Sequence, residues 1–330
     1  MLNKLKELEL YIGNTPVVKL QNEEINLFAK LEYYNLMNNI KARTAYSILK
    51  GAILRGEINE NSTLIESSSG NLAISLAIMC KKINIKFIPV IDPNINKSYE
   101  NILNAISYKV VKVNERDESG GFLNTRLNKV QELCSEISHS YWTNQYGNRD
   151  NFLAHYQGTG EELNEHFDDI DYAFIGVGTG GTISGVSQKL KEKFPNVKII
   201  AVDSIGSLIF SDIPKKRYLP GIGSSIKPVS LNQKYIDEVV LISETNAIEG
   251  CHELFNTHAI FAGASSGSVF YALREYFKDK DLLKKPNVVF ICPDNGMSYT
   301  DTVYNLEWVK WFKDINEHEE GKVLNKLGSS

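Results

Sequence analysis

Four short segments of this 330-residue chain combine side chains and backbone in ways that could do chemistry. In the first, Asp171-Tyr-Ala-Phe-Ile-Gly-Val-Gly-Thr-Gly-Gly-Thr-Ile-Ser184, an apolar run over 172–177 reads as a buried strand, and Gly178, Thr179, Gly180, Gly181 and Thr182 turn it into a helix continuing to 190. Such a turn offers a phosphate free backbone N–H groups, the close approach that glycine permits, and the partial positive charge of a helix N-terminus. In the second, Asn39-Ile-Lys-Ala-Arg43, Lys41 stands just before an amphipathic helix. A helix N-terminus disfavours the ammonium form, and a lysine of lowered pKa is what Schiff-base chemistry with an aldehyde requires. The remaining two, Glu66-Ser-Ser-Ser-Gly-Asn71 and Ala262-Gly-Ala-Ser-Ser-Gly-Ser268, are hydroxyl-rich turns before helices, with neutral donors suited to a carboxylate or a ring oxygen. Helix capping and a solvated loop lysine explain any one of these segments, but explain their recurrence poorly.

The glycine loop fits two ligands. Gly176, Gly178 and Gly181 spell G-x-G-x-x-G, and Asp203 closes the next apparent strand, 197–202, where a ribose-binding acid would stand. Taken alone, the loop reads as a dinucleotide site.

The elements that must position these segments alternate. Strands are expected at 17–20 after the turn Ile12-Gly-Asn-Thr-Pro16, then at 27–32, 63–66, 86–91, 109–113, 172–177, 197–202, 238–242 and 287–292. Helices are expected at 42–55, 70–82, 98–106, 120–137, 150–166, 178–190, 246–256 and 267–277. Strands separated by helices imply parallel sheets, one near 40–145 and one built from both ends of the chain. In such sheets the turns lie at the carboxyl ends of strands, so the candidate segments should converge on one crevice.

Composition narrows the class. A chain of 330 residues, 42% hydrophobic, can bury a large core and is expected to form two domains. Its 36 basic and 40 acidic residues give a net charge of −4 with no basic block, which argues against nucleic acid or an anionic membrane as partner. The longest apolar run, 72–80, is too short to span a bilayer, and acids interrupt the N-terminus where a signal peptide would be apolar, so a cytoplasmic protein is expected. Cys80, Cys134, Cys251 and Cys292 show no C-x-x-C spacing and the histidines form no ligand pair, so no metal is expected. The last residues, 326–330, read as linker.

Taken together, Lys41, the hydroxyl turns and the glycine loop resemble the fold-type II pyridoxal-phosphate enzymes, the family of cysteine synthase and cystathionine β-synthase. The resemblance covers almost the whole chain and implies two parallel-sheet α/β/α domains of the tryptophan synthase β-like kind. It places 1–39 and 146–325 in a large cofactor-binding domain and 40–145 in a smaller, mobile substrate-binding domain. It implies that Lys41 carries pyridoxal 5'-phosphate, that Asn71 contacts its 3-hydroxyl, and that Gly178, Thr179, Gly180, Gly181 and Thr182 hold its phosphate. Ser265 would face the pyridine nitrogen, with Pro293-Asp294 near the ring. Ser67, Ser68, Ser69, Gly70 and Gln145 would hold the substrate carboxylate, with Tyr146 and Gly223 beside them; apart from the resemblance, Arg126, on the helix opened by Gly120-Gly121, is a candidate for a phosphate or second carboxylate. Asp203, in Val202-Asp-Ser-Ile-Gly-Ser207, matches a segment of the same family, which removes its force as a ribose-binding acid.

Longer segments, among them Tyr141-Trp-Thr-Asn-Gln-Tyr146, His155-Tyr-Gln-Gly158 and Leu219-Pro-Gly-Ile-Gly-Ser224, are similar to a siderophore-pathway subfamily that makes N-(2-amino-2-carboxyethyl)-L-glutamate from O-phospho-L-serine and L-glutamate. The implied reaction is β-replacement through an aminoacrylate, with small amino-acid substrates and a homodimeric enzyme. A cysteine synthase using sulfide or a thiol shares every cofactor residue and stays open, as does a catalytically silent binding protein. The family's Gly-Ser-x-Lys-Asp-Arg here reads Asn38-Asn-Ile-Lys-Ala-Arg43, and loss of the aspartate at Ala42 is expected to lower activity or alter specificity.

Overall fold

A computed structural model describes residues 1–117 and 120–327, with side chains through 316; residues 328–330, the end of the segment read as linker, lie outside the described residues. After a short helix α1 (Leu2–Lys6), the chain runs β1 (Val17–Leu20), β2 (Asn26–Leu31), α2 (Lys41–Leu54), β3 (Thr63–Ser67), α3 (Asn71–Ile83) and β4 (Lys86–Ile91). It continues through α4 (Lys97–Ile106), β5 (Val111–Lys112), α5 (Leu123–Glu136), β6 (Ser140–Trp142), α6 (Arg149–Ala154) and α7 (Gly160–His166), the last two joined by a π-helical turn, His155–Thr159. Then come β7 (Tyr172–Gly176), α8 (Gly181–Lys193), β8 (Lys198–Ser204), β9 (Glu238–Ile242), α9 (Glu244–His258), α10 (Ala264–Phe277), β10 (Asn287–Cys292) and α11 (Leu306–Leu327).

Two sheets result, with strand orders β1-β2-β10-β7-β8-β9 and β5-β4-β3-β6. The smaller sheet is parallel throughout, with Thr63 opposite Lys86 and Ile65 opposite Trp142. In the larger one, Phe290 lies opposite Ala29 on one side and Phe174 on the other, all pairs being parallel except β1 with β2. That antiparallel edge departs from the all-parallel expectation, because only a short link separates β1 from β2 and a parallel return needs a crossover of a dozen or more residues. The short strand β6 and helices α1 and α11 are further elements that periodicity did not reveal.

The larger sheet is covered on both faces, which explains its near-continuous apolar strands. Phe174, Ile200, Val202, Val288 and Phe290 pack toward α10, while Ala173, Ile175, Ile199, Val289 and Ile291 pack toward α8, the strict period-two split of a pleated strand. The smaller sheet has its own core, in which Leu64 and Phe87 meet Leu49 of α2 and Leu76 of α3. Among the described residues, no helix is long and apolar enough to cross a membrane.

Candidate active site

Lys41 is the first residue of α2, and its position is fixed from several directions. The preceding residue donates Ile40 N to Pro293 O at 2.7 Å, Asn39 bridges Asp294 in antiparallel fashion, and Asn39 Oδ1 accepts Lys41 N at 2.9 Å. Two residues on, Arg43 donates to both oxygens of Glu32 (Nε at 2.6 Å, Nη2 at 2.9 Å) and both of Glu162 (Nη1 and Nη2 at 2.7 Å). Glu162 also accepts Lys30 Nζ at 2.6 Å and Asn14 N at 2.8 Å, so the Gly-Asn-Thr turn near the N-terminus is tied to the base of α2. Burial pushes the Lys41 pKa down, opposed in part by Asp294, so burial is the main physical cause of the lowering.

Lys41 opens into a cavity of about 40 Å³ whose other walls include Gly176, Gly178, Thr179, Gly180, Thr182 and Gly221. The first amides of α8 have no intrahelical acceptor, and Gly180 turns the chain into that helix at φ +82°, where a Cβ would also sit 3.0 Å from Leu231. The threonine hydroxyls are held from below. Asn151 Nδ2 donates to Thr179 Oγ1 at 3.0 Å and Thr44 Oγ1 donates to Asn151 Oδ1 at 3.0 Å, while His155 Nε2 lies 3.3 Å from Thr182 Oγ1 and 3.2 Å from Thr44 Oγ1. Burial, with Lys41 and Arg43 nearby, holds the His155 pKa well below its ordinary value, so the imidazole is neutral. The π turn that interrupts the helix expected over 150–166 is what places this histidine under the loop. Gly176, the first glycine of the G-x-G-x-x-G pattern, closes β7 and lines the same cavity.

Asn71, the first residue of α3, donates Nδ2 to Asp294 Oδ2 at 2.7 Å and accepts from Tyr99 at 2.7 Å. Asp294 is buried and also takes Tyr299 OH at 3.0 Å; burial raises its pKa, against the pull of Asn71, Tyr299 and Lys41. Among the described residues, its other oxygen, Oδ1, and the buried hydroxyls of Ser265 and Ser67 find no partner.

The hydroxyl turn after β3 runs into Asn71, whose bond to Asp294 ties it to the lysine side of the site. Ser67 O accepts Gln145 Nε2 at 3.4 Å, and Ser68 Oγ accepts Gly70 N at 3.4 Å. Ser69 Oγ is fully engaged: it donates to Asp92 Oδ2 at 3.0 Å and accepts Asp92 N at 3.2 Å and Arg126 Nη1 at 3.0 Å. Arg126 pairs with Asp92 at 3.1 Å, while its buried Nε has no partner. Behind the turn, Glu66 is buried and accepts from Thr143 Oγ1 and from the amides of Gln145 and Ser67; burial outweighs these and Arg126 and pushes its pKa up to about 7. Tyr146 reaches Ser224, beyond Gly223 at φ +77°, where a Cβ would meet Arg217 Nη1 at 2.2 Å.

One expectation about the second hydroxyl turn, Ala262 to Ser268, is corrected. No sheet strand precedes it; residue Ala262 makes only an isolated bridge to Asn295, and α10 begins at Ala264, so Ser265 lies within the first helical turn. The turn reaches the crevice because Gly263 N donates to Asp294 O at 3.1 Å. Asp203 is fully buried with Oδ1 on Ser204 N at 2.8 Å, which removes it as a ribose ligand. Sequence reasoning missed Asp92, Tyr99, Asn151, Arg217 and Ser298, none of which stands in a glycine or hydroxyl motif.

These groups fit pyridoxal phosphate. A Cβ on Gly178 would meet only Gly221 O, at 3.8 Å, leaving room for a phosphate beside free amides, and the partnerless Ser265 and Asp294 oxygens provide polar groups for a ring. The lysine amine suits an aldehyde.

Comparison with known proteins agrees. Over residues 8–294 the chain matches the family described as pyridoxal-phosphate dependent enzyme. Among solved structures, a hydrogen sulfide-producing enzyme from Fusobacterium nucleatum is 30% identical, covering 88% of this chain and 98% of its own, with a TM-score of 0.82. An O-acetylserine dependent cystathionine β-synthase from Helicobacter pylori is 27% identical over 90% of this chain and 98% of its own, at 0.83. A mutant hydrogen sulfide-producing enzyme in complex with an α-aminoacrylate intermediate is 28% identical over 91% of each chain, also at 0.83. With a buried lysine, a glycine loop and two α/β sheets in place, this chain belongs to the family of pyridoxal-phosphate dependent enzymes.

Proposed function

We propose that the chain catalyses β-replacement on a β-substituted L-serine, O-phospho-L-serine above all, with an amine nucleophile such as L-glutamate, a related amino acid or ammonia, giving a 2,3-diaminopropionate-type product. The observation that carries the choice of an anionic leaving group is Arg126. Its guanidinium reaches the Ser67–Gly70 turn through Ser69, is only part-neutralised by Asp92, and keeps a buried N–H without a partner. A planar guanidinium so placed suits a phosphate.

The cofactor, once bound, withdraws electrons from the substrate's Cα. Lys41 Nζ, its pKa lowered by burial, is the base that takes the Cα proton. Ser68, Gly70 and Gln145 would hold the substrate carboxylate, and Ser265 Oγ, a neutral hydroxyl, would hold the ring nitrogen. Movement of the β5-β4-β3-β6 sheet over the substrate keeps water from the reactive β-carbon.

A second reading, in which sulfide or a thiol is the nucleophile, is favoured by the likeness to the cystathionine β-synthase and the hydrogen sulfide-producing enzymes. Both readings are tested by mass-spectrometric product identification after incubating the cofactor-loaded protein with O-phospho-L-serine, O-acetyl-L-serine or L-serine, each with glutamate, ammonia or sulfide. A glutamate or ammonia adduct formed from O-phosphoserine supports the first reading. Cysteine as the sole product replaces it with the second, and no replacement product from any pair removes both.

A further inference from the structure

Asn71 stands within a directed run of hydrogen bonds that crosses between the two sheets' territories and ends on Asp294. Ser298 Oγ, in the 3₁₀ turn Gly296–Tyr299, donates to Tyr99 OH at 2.7 Å, and Tyr99 OH donates to Asn71 Oδ1 at 2.7 Å. Asn71 Nδ2 in turn donates to Asp294 Oδ2 at 2.7 Å. The same turn is fastened to the start of α4 by Asn96 Nδ2, which donates to Ser298 O at 3.2 Å.

The sense of the run is fixed at both ends. Asp294 Oδ2 takes donors from Asn71 and from Tyr299, at 2.7 and 3.0 Å, and so acts as an acceptor. At the other end, burial raises the Tyr99 pKa to about 12, so the phenol keeps its proton and needs an acceptor for it. Rotating the Asn71 amide by half a turn would set its carbonyl against a carboxylate oxygen. It would also turn an amide N–H toward the phenol oxygen, so that the hydroxyl protons of Tyr99 and Ser298 would both have to reverse. One orientation of the amide therefore remains, with Oδ1 toward Tyr99 and Nδ2 toward Asp294. Since Nδ2 carries two protons and Asp294 uses one, the second is left for a ligand in the crevice.

We propose that Tyr99 is a positioning residue: with Ser298 behind it, it locks the Asn71 amide so that the side chain offers the cofactor a hydrogen-bond donor and never an acceptor. An oxygen on the cofactor ring that meets Asn71 is consequently held in its ionised form. Asn71 itself makes the contact, and Tyr99 acts through it.

The test is a cofactor titration of apoprotein, followed by absorbance, for wild type, Tyr99→Phe, Ser298→Ala, Asn71→Ala and the Tyr99→Phe/Asn71→Ala double variant. Tyr99→Phe should raise the dissociation constant for pyridoxal phosphate roughly fivefold and Ser298→Ala roughly twofold. In the Asn71→Ala background Tyr99→Phe should add nothing, because the amide it orients is gone. The bound cofactor's absorption in Tyr99→Phe should also shift toward the band of the un-ionised ring hydroxyl. An unchanged dissociation constant in Tyr99→Phe, or the same factor with and without Asn71, overturns the proposal. If Tyr99→Phe does not fold, Ser298→Ala decides by the same criteria, since it removes the directing O–H and leaves the Tyr99 ring packed.

Discussion

Asn39 Oδ1 accepts the backbone N–H of Lys41 at 2.9 Å, and Ser75 Oγ donates to the same oxygen at 3.2 Å. Asparagine thus supplies the side-chain oxygen that the family's serine would offer at the start of the lysine helix. Its neighbour Asn38 takes φ +54°, a left-handed conformation that asparagine tolerates better than most residues, in place of glycine. Ala42 is fully buried in the apolar cluster that holds Leu5, Ala45, Tyr46 and Leu49, so the missing aspartate has no polar place here.

Substitutions at these positions should separate accordingly. Asn39→Ser is expected to keep the stability of the parent, Asn39→Ala to lose about 1 kcal/mol as other lost caps do, and Ala42→Asp to lose on the order of 3 kcal/mol by burying a carboxylate without partners. Urea denaturation of the three variants measures the order. An Ala42→Asp protein as stable as its parent would contradict the packing argument.

Glu66 makes the protein's stability depend on pH near neutrality. Its folded-state pKa, about 7, lies above its ordinary 4.5, so the folded protein binds an extra proton between these values and the contribution to stability falls as pH rises through about 7. Relative to Glu66→Gln, the parent should therefore lose on the order of 3 kcal/mol between pH 5 and pH 8. Denaturation midpoints of both proteins at the two pH values check this, and parallel pH profiles would count against it.

Arg126→Met should discriminate between leaving groups. The Michaelis constant for O-phospho-L-serine is expected to rise by roughly 10- to 100-fold, the loss of a charge-assisted contact, while that for O-acetyl-L-serine changes little. Arg126→Lys should recover part of the difference. Equal losses on both substrates would mean that the arginine only braces Ser69 and Asp92.

The fold was largely legible because its strands and helices carry their own periods. The two-face split of Phe174 and Ile175 is written in a continuous apolar run, and the α2 stripe of Ala45, Ile48, Leu49 and Ala52 is buried throughout. Where the pattern failed, the cause was local. Strand β6 has only three residues, too few for a period, and the π turn at 155–159 sits inside an otherwise helical pattern. The turn before α10 mimics a strand-to-helix turn in sequence, but its support comes from Asn295 and Asp294.

The site divides in the same way. The amino-acid sequence by itself determined the lysine, the glycine loop and the hydroxyl turns, because each depends on backbone conformations and residue types within a few positions of one another. Tertiary structure decided what those groups face. Asn71 and Asp294 are 223 residues apart, Ser69 and Arg126 are 57 apart, and Tyr99 and Ser298 are 199 apart. A hydrogen bond exists only when donor and acceptor come within about 3 Å at a favourable angle. No sequence period carries that information across separate elements, so the partners that orient Asn71 and restrain Arg126 emerge only when the two sheets are set side by side.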